Sequence, residues 1–205
     1  LQPVAVPLLD AVIGNPPYVR QEDIPKAKGG KKKPEAGSKE FYAGLVKKLA
    51  GADLSGRSDL HCYFWPHAST FLQDDGMLGF VTSSQWLDVE YGFRLQRWLL
   101  QNFEVLAILE SPVEPWFVGA RVATAVTIAR KCKDEATRNA NTVRFVQLRQ
   151  PLATLLENDG TTTGAVRAAD FLRDEILGLT ENAADNRYRA RLINQGDLWK
   201  RGVDL

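Results

Sequence analysis

The chain has few cysteines, no charge imbalance and no long apolar run, and each absence argues against a class of protein. There are 2 cysteines among 205 residues and no Cys-x-x-Cys pair, which favours reduced thiols over a disulfide framework or a zinc site. The formal net charge is +1, so any affinity for a polyanion must come from local patches. Apolar runs are too short to cross a bilayer, and no secretory leader opens the sequence. We therefore expect a cytoplasmic protein with no metal site and no membrane partner.

The apolar residues, 44% of the chain, are sufficient for a sizeable core. Strand-like runs alternate with segments whose apolar residues recur every three or four positions, which predicts an α/β fold with helices packed on a mostly parallel sheet. The predicted strands are 8–14, 77–82, 104–109, 121–129 and 142–148, and the predicted helices include 39–49, 58–72 and 168–179. The short connection between residues 109 and 121 predicts that these two strands are antiparallel neighbours.

Local signals predict how several of these elements begin and end. Ser58 is a candidate N-cap for the second helix, and the Asp-Asp-Gly run at residues 74–76 is typical of a turn. The helix after Trp86 should bury Phe93 together with Leu95, Trp98 and Leu99. Three threonines between Gly160 and Gly164 predict a flexible link, and we place a domain boundary near residue 150.

The most informative motif is Asn15-Pro16-Pro17-Tyr18, which follows the apolar run LLDAVIG. Ligands of open α/β sheets gather beyond the carboxyl ends of strands. The Asn15 side-chain oxygen and the Pro16 carbonyl can accept the two hydrogens of an exocyclic amine, so that its lone pair points at an electrophilic methyl group. The ring of Tyr18 can stack on a flat heterocycle. A base within a duplex could not reach such a loop, so this chemistry implies base flipping.

Residues 10–20, DAVIGNPPYVR, closely resemble the catalytic motif of adenine-specific DNA amino-methyltransferases, particularly the large restriction-modification methylases. The resemblance covers roughly residues 8–150. It continues through SDLHCYF at residues 58–64, GMLGFVT at 76–82, the following loop at 83–87 and the segment 117–130, which resembles the family's closing strand pair.

The resemblance implies a partial Rossmann-like class I methyltransferase sheet, mostly parallel with a closing antiparallel strand pair. It also implies S-adenosylmethionine as cofactor, with Asn15, Pro16, Pro17 and Tyr18 as catalytic residues and Asn15 also at the cofactor. Residues 1–150 would be the catalytic half of the domain, and residues 151–205 an extension leading towards a target-recognition region. The family's glycine-rich cofactor turn precedes its catalytic loop, and no G-x-G run occurs in this sequence. We therefore expect a fragment that is inactive alone.

The expected partner is double-stranded DNA, and nuclease and target-recognition regions would lie on the same parent chain. Arg20 and the loop lysines Lys31, Lys32 and Lys33 are candidate phosphate contacts, although a lysine-rich loop can also be merely soluble. Two other readings stay open. The same loop could hold an amide of protein glutamine or an RNA base, or the chain could be a non-catalytic DNA-binding portion of a larger assembly.

Overall fold

The computed structural model describes residues 6–27, 34–117, 123–157 and 159–203, and within them one mixed sheet carries helices on both faces. The strands are β1 (Leu9–Gly14), β2 (Leu72–Ser83), β3 (Phe103–Glu110), β4 (Thr124–Lys131), β5 (Thr142–Leu148), β6 (Ala183–Ala184) and β7 (Tyr188–Asn194). The helices are α1 (Lys39–Ala50), α2 (Leu60–Ser69), α3 (Gly92–Asn102), α4 (Glu135–Ala140), α5 (Leu152–Leu155), α6 (Thr162–Gly178) and α7 (Gln195–Val203), with a 3-10 turn at Ser84–Leu87. None of the described helices is long and apolar enough to span a membrane.

The sheet order is β1-β2-β4-β3-β5-β7-β6. β1 is parallel to β2 and β3 is parallel to β5, while β4 lies antiparallel between β2 and β3. The predicted antiparallel pair is thus confirmed. Because β1, β2, β3 and β5 run in one direction, their carboxyl ends meet at one edge of the sheet, and the loop at residues 15–18 leaves from that edge.

The larger core lies between this sheet and the helices α1, α2 and α3. Phe80 of β2 packs against Trp65 of α2 with ring centroids 5.0 Å apart, and Trp65 in turn contacts Trp86 at 5.5 Å. Burial of each such side chain contributes about 1.5–3 kcal/mol. Leu95, Trp98 and Leu99 are buried as predicted, but Phe93 is 44% exposed, so its predicted burial is wrong.

A predicted helix cap and a predicted turn differ from the structure. Asp59, and not Ser58, occupies the N-cap position of α2. The run at residues 74–76 does not turn the chain but forms an irregularity inside β2, since Leu9 pairs with Leu72 while Ala11 pairs with Met77. Asp75 adopts a positive φ of 64° there, a conformation that aspartate tolerates better than most residues. Pairing with β1 on both sides of the bulge keeps the strand continuous.

The segment after residue 150 adds to the same sheet, because β7 pairs antiparallel with β5 along its whole length. The predicted flexible link at residues 160–164 is wrong from Thr161 onward. Thr161 is the N-cap of α6, and its hydroxyl accepts a hydrogen bond from the Gly164 amide at 2.9 Å. The threonine run therefore starts a helix. Leu172 and Ile176 of that helix pack on β5 and β7 in a second, smaller core.

Candidate active site

The loop at the carboxyl end of β1 presents one exposed polar side chain on a buried support. Asn15 is exposed, Pro16 is buried and Pro17 is exposed. Neither proline has an amide hydrogen, so the β ladder cannot continue through them. Gly14 lies directly against the core, since a Cβ at this position would be 2.8 Å from Cε1 of Phe80. Glycine therefore lets the backbone pass close to the Phe80 ring immediately before Asn15.

Tyr18 is fixed at both its hydroxyl and its ring. The hydroxyl donates a hydrogen bond to the Val81 carbonyl of β2 at 3.2 Å. The ring meets Phe117 edge-on, with centroids 5.5 Å apart and planes at 76°, and meets His61 of α2 at 6.4 Å and 89°. Burial raises the pKa of Tyr18 to about 12, so the phenol remains a neutral donor at physiological pH. The side chain is suited to stacking and poorly suited to acid–base work.

His61, which contacts the Tyr18 ring, and its neighbour Cys62 both have uncharged side chains at neutral pH. Burial lowers the pKa of His61 to about 4, against a smaller opposing effect of Asp59, and burial raises the pKa of the Cys62 thiol. The Cys62 sulfur is 3.5 Å from Nε2 of His61. In the described parts of the chain, no three His, Cys, Asp or Glu side chains are grouped as a metal site would require. His61 packs edge-on against the Tyr18 ring, and Cys62 is buried next to His61.

Ser83 and Ser84, which begin the segment 83–87 that resembles a loop of the family, are both buried at the end of β2. The Ser83 hydroxyl accepts a hydrogen bond from the Gln85 amide at 3.4 Å and caps the short 3-10 turn. Ser84 hydrogen-bonds to Glu110, whose pKa burial raises and this bond lowers by a smaller amount. These serines therefore hold the sheet edge together.

Of the candidate DNA contacts, the structure describes Arg20 but not the three lysines at residues 31–33. Arg20 is exposed two residues after Tyr18, and its carbonyl accepts a turn hydrogen bond from the Asp23 amide at 3.0 Å. The Arg20 side chain is therefore exposed to solvent close in sequence to the loop at residues 15–18. Lys31, Lys32 and Lys33 lie outside the described residues, and their role stays a prediction.

Phe117 and His61 are the neighbours of Tyr18 that the sequence did not single out. Phe117 was assigned only to the segment resembling a closing strand pair, and 99 positions separate it from Tyr18. An aromatic residue just before a predicted strand was the available signal, but nothing in its spacing points to Tyr18. The start of β4 pairs with the carboxyl end of β2, and β1 ends beside β2, so the sheet brings these distant parts of the chain to one edge.

A cavity of about 420 Å³ lies elsewhere, between α3, α7 and the sheet. Its walls include Trp86, Phe93, Phe145 and Trp199, and the loop at residues 15–18 is not among its lining residues. The loop at residues 15–18 lies at the carboxyl edge of the sheet, apart from this cavity.

Comparison with known proteins places the same region in one family. The profile of the Eco57I restriction-modification methylases matches residues 9–117, which is more than half of the chain. The type II methyltransferase M.XamI of Xanthomonas campestris pv. amaranthicola is 28% identical over 172 residues, covering 82% of this chain and 28% of that protein. M.BstVI of Geobacillus stearothermophilus is 30% identical over 103 residues, covering 49% of this chain and 15% of that protein. The chain thus spans less than a third of these relatives.

Solved structures agree on the fold. The type IIG restriction endonuclease BpuSI superposes with a TM-score of 0.60 at 20% identity, over 94% of this chain and 20% of that one. The methyltransferase subunit of a type I restriction-modification system from Streptococcus thermophilus gives a TM-score of 0.58 at 16% identity, over 95% of this chain and 36% of that one. The predicted α/β fold is confirmed.

Proposed function

Because the chain belongs to the Eco57I restriction-modification methylase family, we propose that it forms the target-base half of an active site that methylates the 6-amino group of adenine in a specific sequence of double-stranded DNA. The observation that carries the proposal is the aromatic pair of Tyr18 and Phe117, 5.5 Å apart beside the exposed Asn15. The setting would be a restriction-modification system, with residues 151–205 leading towards a target-recognition region.

The polar part of the site orients the amine. The Asn15 side-chain oxygen and the Pro16 carbonyl are acceptors on a loop whose Pro16 ring is buried and whose start, Gly14, abuts Phe80. Two acceptors can bind the two hydrogens of one amine and leave its lone pair free for the methyl group. When bound, S-adenosylmethionine would supply an electrophilic methyl group to the amine held by these acceptors, and the surplus proton of the amine would pass to water. Neither Tyr18, with a pKa of about 12, nor His61, with a pKa of about 4, needs to act as a base.

The aromatic part of the site selects a flat substrate. Because the Tyr18 hydroxyl is bound to the Val81 carbonyl, the ring is held in one orientation before the substrate arrives. Phe117, which approaches it edge-on, closes one side of the same space. A base extruded from duplex DNA could stack there, and stacking of a base on an aromatic side chain contributes about 1–3 kcal/mol.

S-adenosylmethionine would supply the methyl group. Asn15 is the described residue that fits it best, since its exposed amide also has two N–H donors for the methionine portion of the cofactor. Because the chain covers only 28% of M.XamI and 15% of M.BstVI, we assign the remaining cofactor contacts to the full-length protein. Arg20 and the three lysines at 31–33 are the proposed phosphate contacts.

The test is methylation of duplex DNA by the full-length protein with labelled S-adenosylmethionine, followed by nucleoside analysis. We expect label on adenine, its loss in Asn15→Ala and Tyr18→Ala, and substantial activity in Tyr18→Phe, which keeps the ring. Phe117→Ala should reduce kcat/KM roughly tenfold to a hundredfold if it contacts the base. Phe171→Ala is the matched control, because Phe171 is 70% exposed on α6. Label on protein or RNA alone would identify another substrate class, and no label at all would favour a non-catalytic role in DNA binding.

A further inference from the structure

A buried polar network binds the chain at Val19 and Gln21, immediately after Tyr18. The Asp59 carboxylate, only 8% exposed, accepts hydrogen bonds from the Gln21 amide at 2.8 Å and from the Tyr91 hydroxyl at 2.8 Å. The neighbouring Leu60 amide donates to the Val19 carbonyl at 2.9 Å. The first residues of α2 therefore bind the backbone one and three residues after Tyr18.

A second anchor comes from the start of α1. Lys39 is 6% exposed, and its ammonium donates to the Gln21 side-chain oxygen at 2.7 Å and to the Gly56 carbonyl at 2.9 Å. Its own amide donates to the Pro25 carbonyl at 2.8 Å. Gln21 is thus held through its backbone by Asp59 and through its side chain by Lys39.

This use of Asp59 is not explained by helix capping. Asp59 stands at the N-cap of α2 but makes no side-chain cap hydrogen bond, because both of its oxygens point to other segments. Its charge still suits the position, since a carboxylate is stabilised near the positive end of a helix dipole. Burial, and then the bond to Asp59, raise the pKa of Tyr91, so its hydroxyl remains a donor at neutral pH.

We propose that Asp59 is a positioning residue for methyl transfer. Its carboxylate binds both the Gln21 amide and the Tyr91 hydroxyl at the start of α3, and it thereby fixes the catalytic loop at residues 15–18. It touches neither substrate nor cofactor. Charge-assisted hydrogen bonds are shorter and stronger than neutral ones, so a buried carboxylate holds this backbone more firmly than an amide would. The inference rests on the proposed function, since the step it serves is the proposed methyl transfer.

The variants are Asp59→Ala, which removes both bonds and leaves the Gln21 amide unpaired, and Asp59→Asn, which keeps the shape and one acceptor. Asp53→Ala is the matched control, because Asp53 is an exposed carboxylate in an ion pair with Lys47 at 2.8 Å. In the full-length protein we expect Asp59→Ala to lower kcat about tenfold to a hundredfold, the effect of displacing reacting groups by an ångström or less. The Kd for DNA should stay within about twofold, and Asp59→Asn should recover most of the loss.

Hydrogen exchange of the peptide spanning residues 16–25 gives a readout that does not need activity. Exchange should be faster in Asp59→Ala than in the wild type and unchanged in Asp53→Ala. Unchanged exchange in Asp59→Ala would overturn the anchoring. A kcat within twofold of wild type, or an equal fall in Asp53→Ala, would overturn the positioning role. A wild-type protein that labels no adenine would instead contradict the proposed function, and the exchange result would still decide whether Asp59 fixes the loop.

Discussion

Replacing Gly14 by alanine tests how closely the catalytic loop depends on the core beneath it. The added Cβ would lie 2.8 Å from Cε1 and 3.2 Å from Cδ1 of Phe80, a ring that is 3% exposed and packed 5.0 Å from Trp65. The ring cannot move without disturbing its packing against Trp65. Overpacking of this kind costs about 1–3 kcal/mol, so we expect Gly14→Ala to lower Tm by roughly 2–12 °C.

The measurement is thermal or urea unfolding of the wild type, Gly14→Ala, Phe80→Leu and the double variant. Gly44→Ala is the matched control, because a Cβ at this exposed position of α1 meets nothing within 4 Å and should stabilise the helix by about 0.5–1 kcal/mol. A shorter side chain at residue 80 should relieve the contact, so the two substitutions should couple by about 1 kcal/mol. Additive effects, or a Gly14→Ala variant as stable as Gly44→Ala, would refute the steric argument.

Three further predictions concern His61, Gln195 and Arg20. Burial lowers the pKa of His61 from 6.5 in the unfolded chain to about 4 in the folded protein, so its contribution to the free energy of unfolding is present above pH 6.5 and falls by up to about 3 kcal/mol as the pH drops to 4. The acid unfolding of His61→Phe should lack this pH-dependent loss, and a pH profile identical to that of the wild type would contradict the prediction. Gln195→Ala should destabilise the fold by about 1–3 kcal/mol in urea unfolding, because the buried Val105 amide loses its acceptor at 3.0 Å. A change below about 0.5 kcal/mol would argue against the bond. Arg20→Ala should weaken DNA binding equally for specific and non-specific duplexes and reduce the salt slope of log K by about 0.9; a sequence-dependent loss would point to base contact instead.

Local sequence determined the elements and the motif of this protein. The run LLDAVIG and the two prolines after Asn15 predict a strand with an abrupt end, and both features are observed. The expected burial of this strand is wrong, because β1 lies at the edge of the described sheet and Ile13 is 87% exposed. β5 was predicted with its observed ends, Thr142–Leu148, because its flanking residues interrupt the apolar pattern. The motif also sufficed to predict the family that the comparisons confirm.

Tertiary structure alone decided which distant residues meet. Phe117 reaches Tyr18 because β4 inserts antiparallel beside β2, and Gln195 satisfies the Val105 amide from 90 positions away. Tertiary structure also decided where one helix begins and whether one predicted turn forms. Ser58 and Asp59 are equally good caps by residue type, and the Asp-Asp-Gly run is a good turn until β1 pairs on both sides of it. Periodicity reports which face of an element is apolar, whereas contacts between elements depend on strand order and register, which no local pattern encodes.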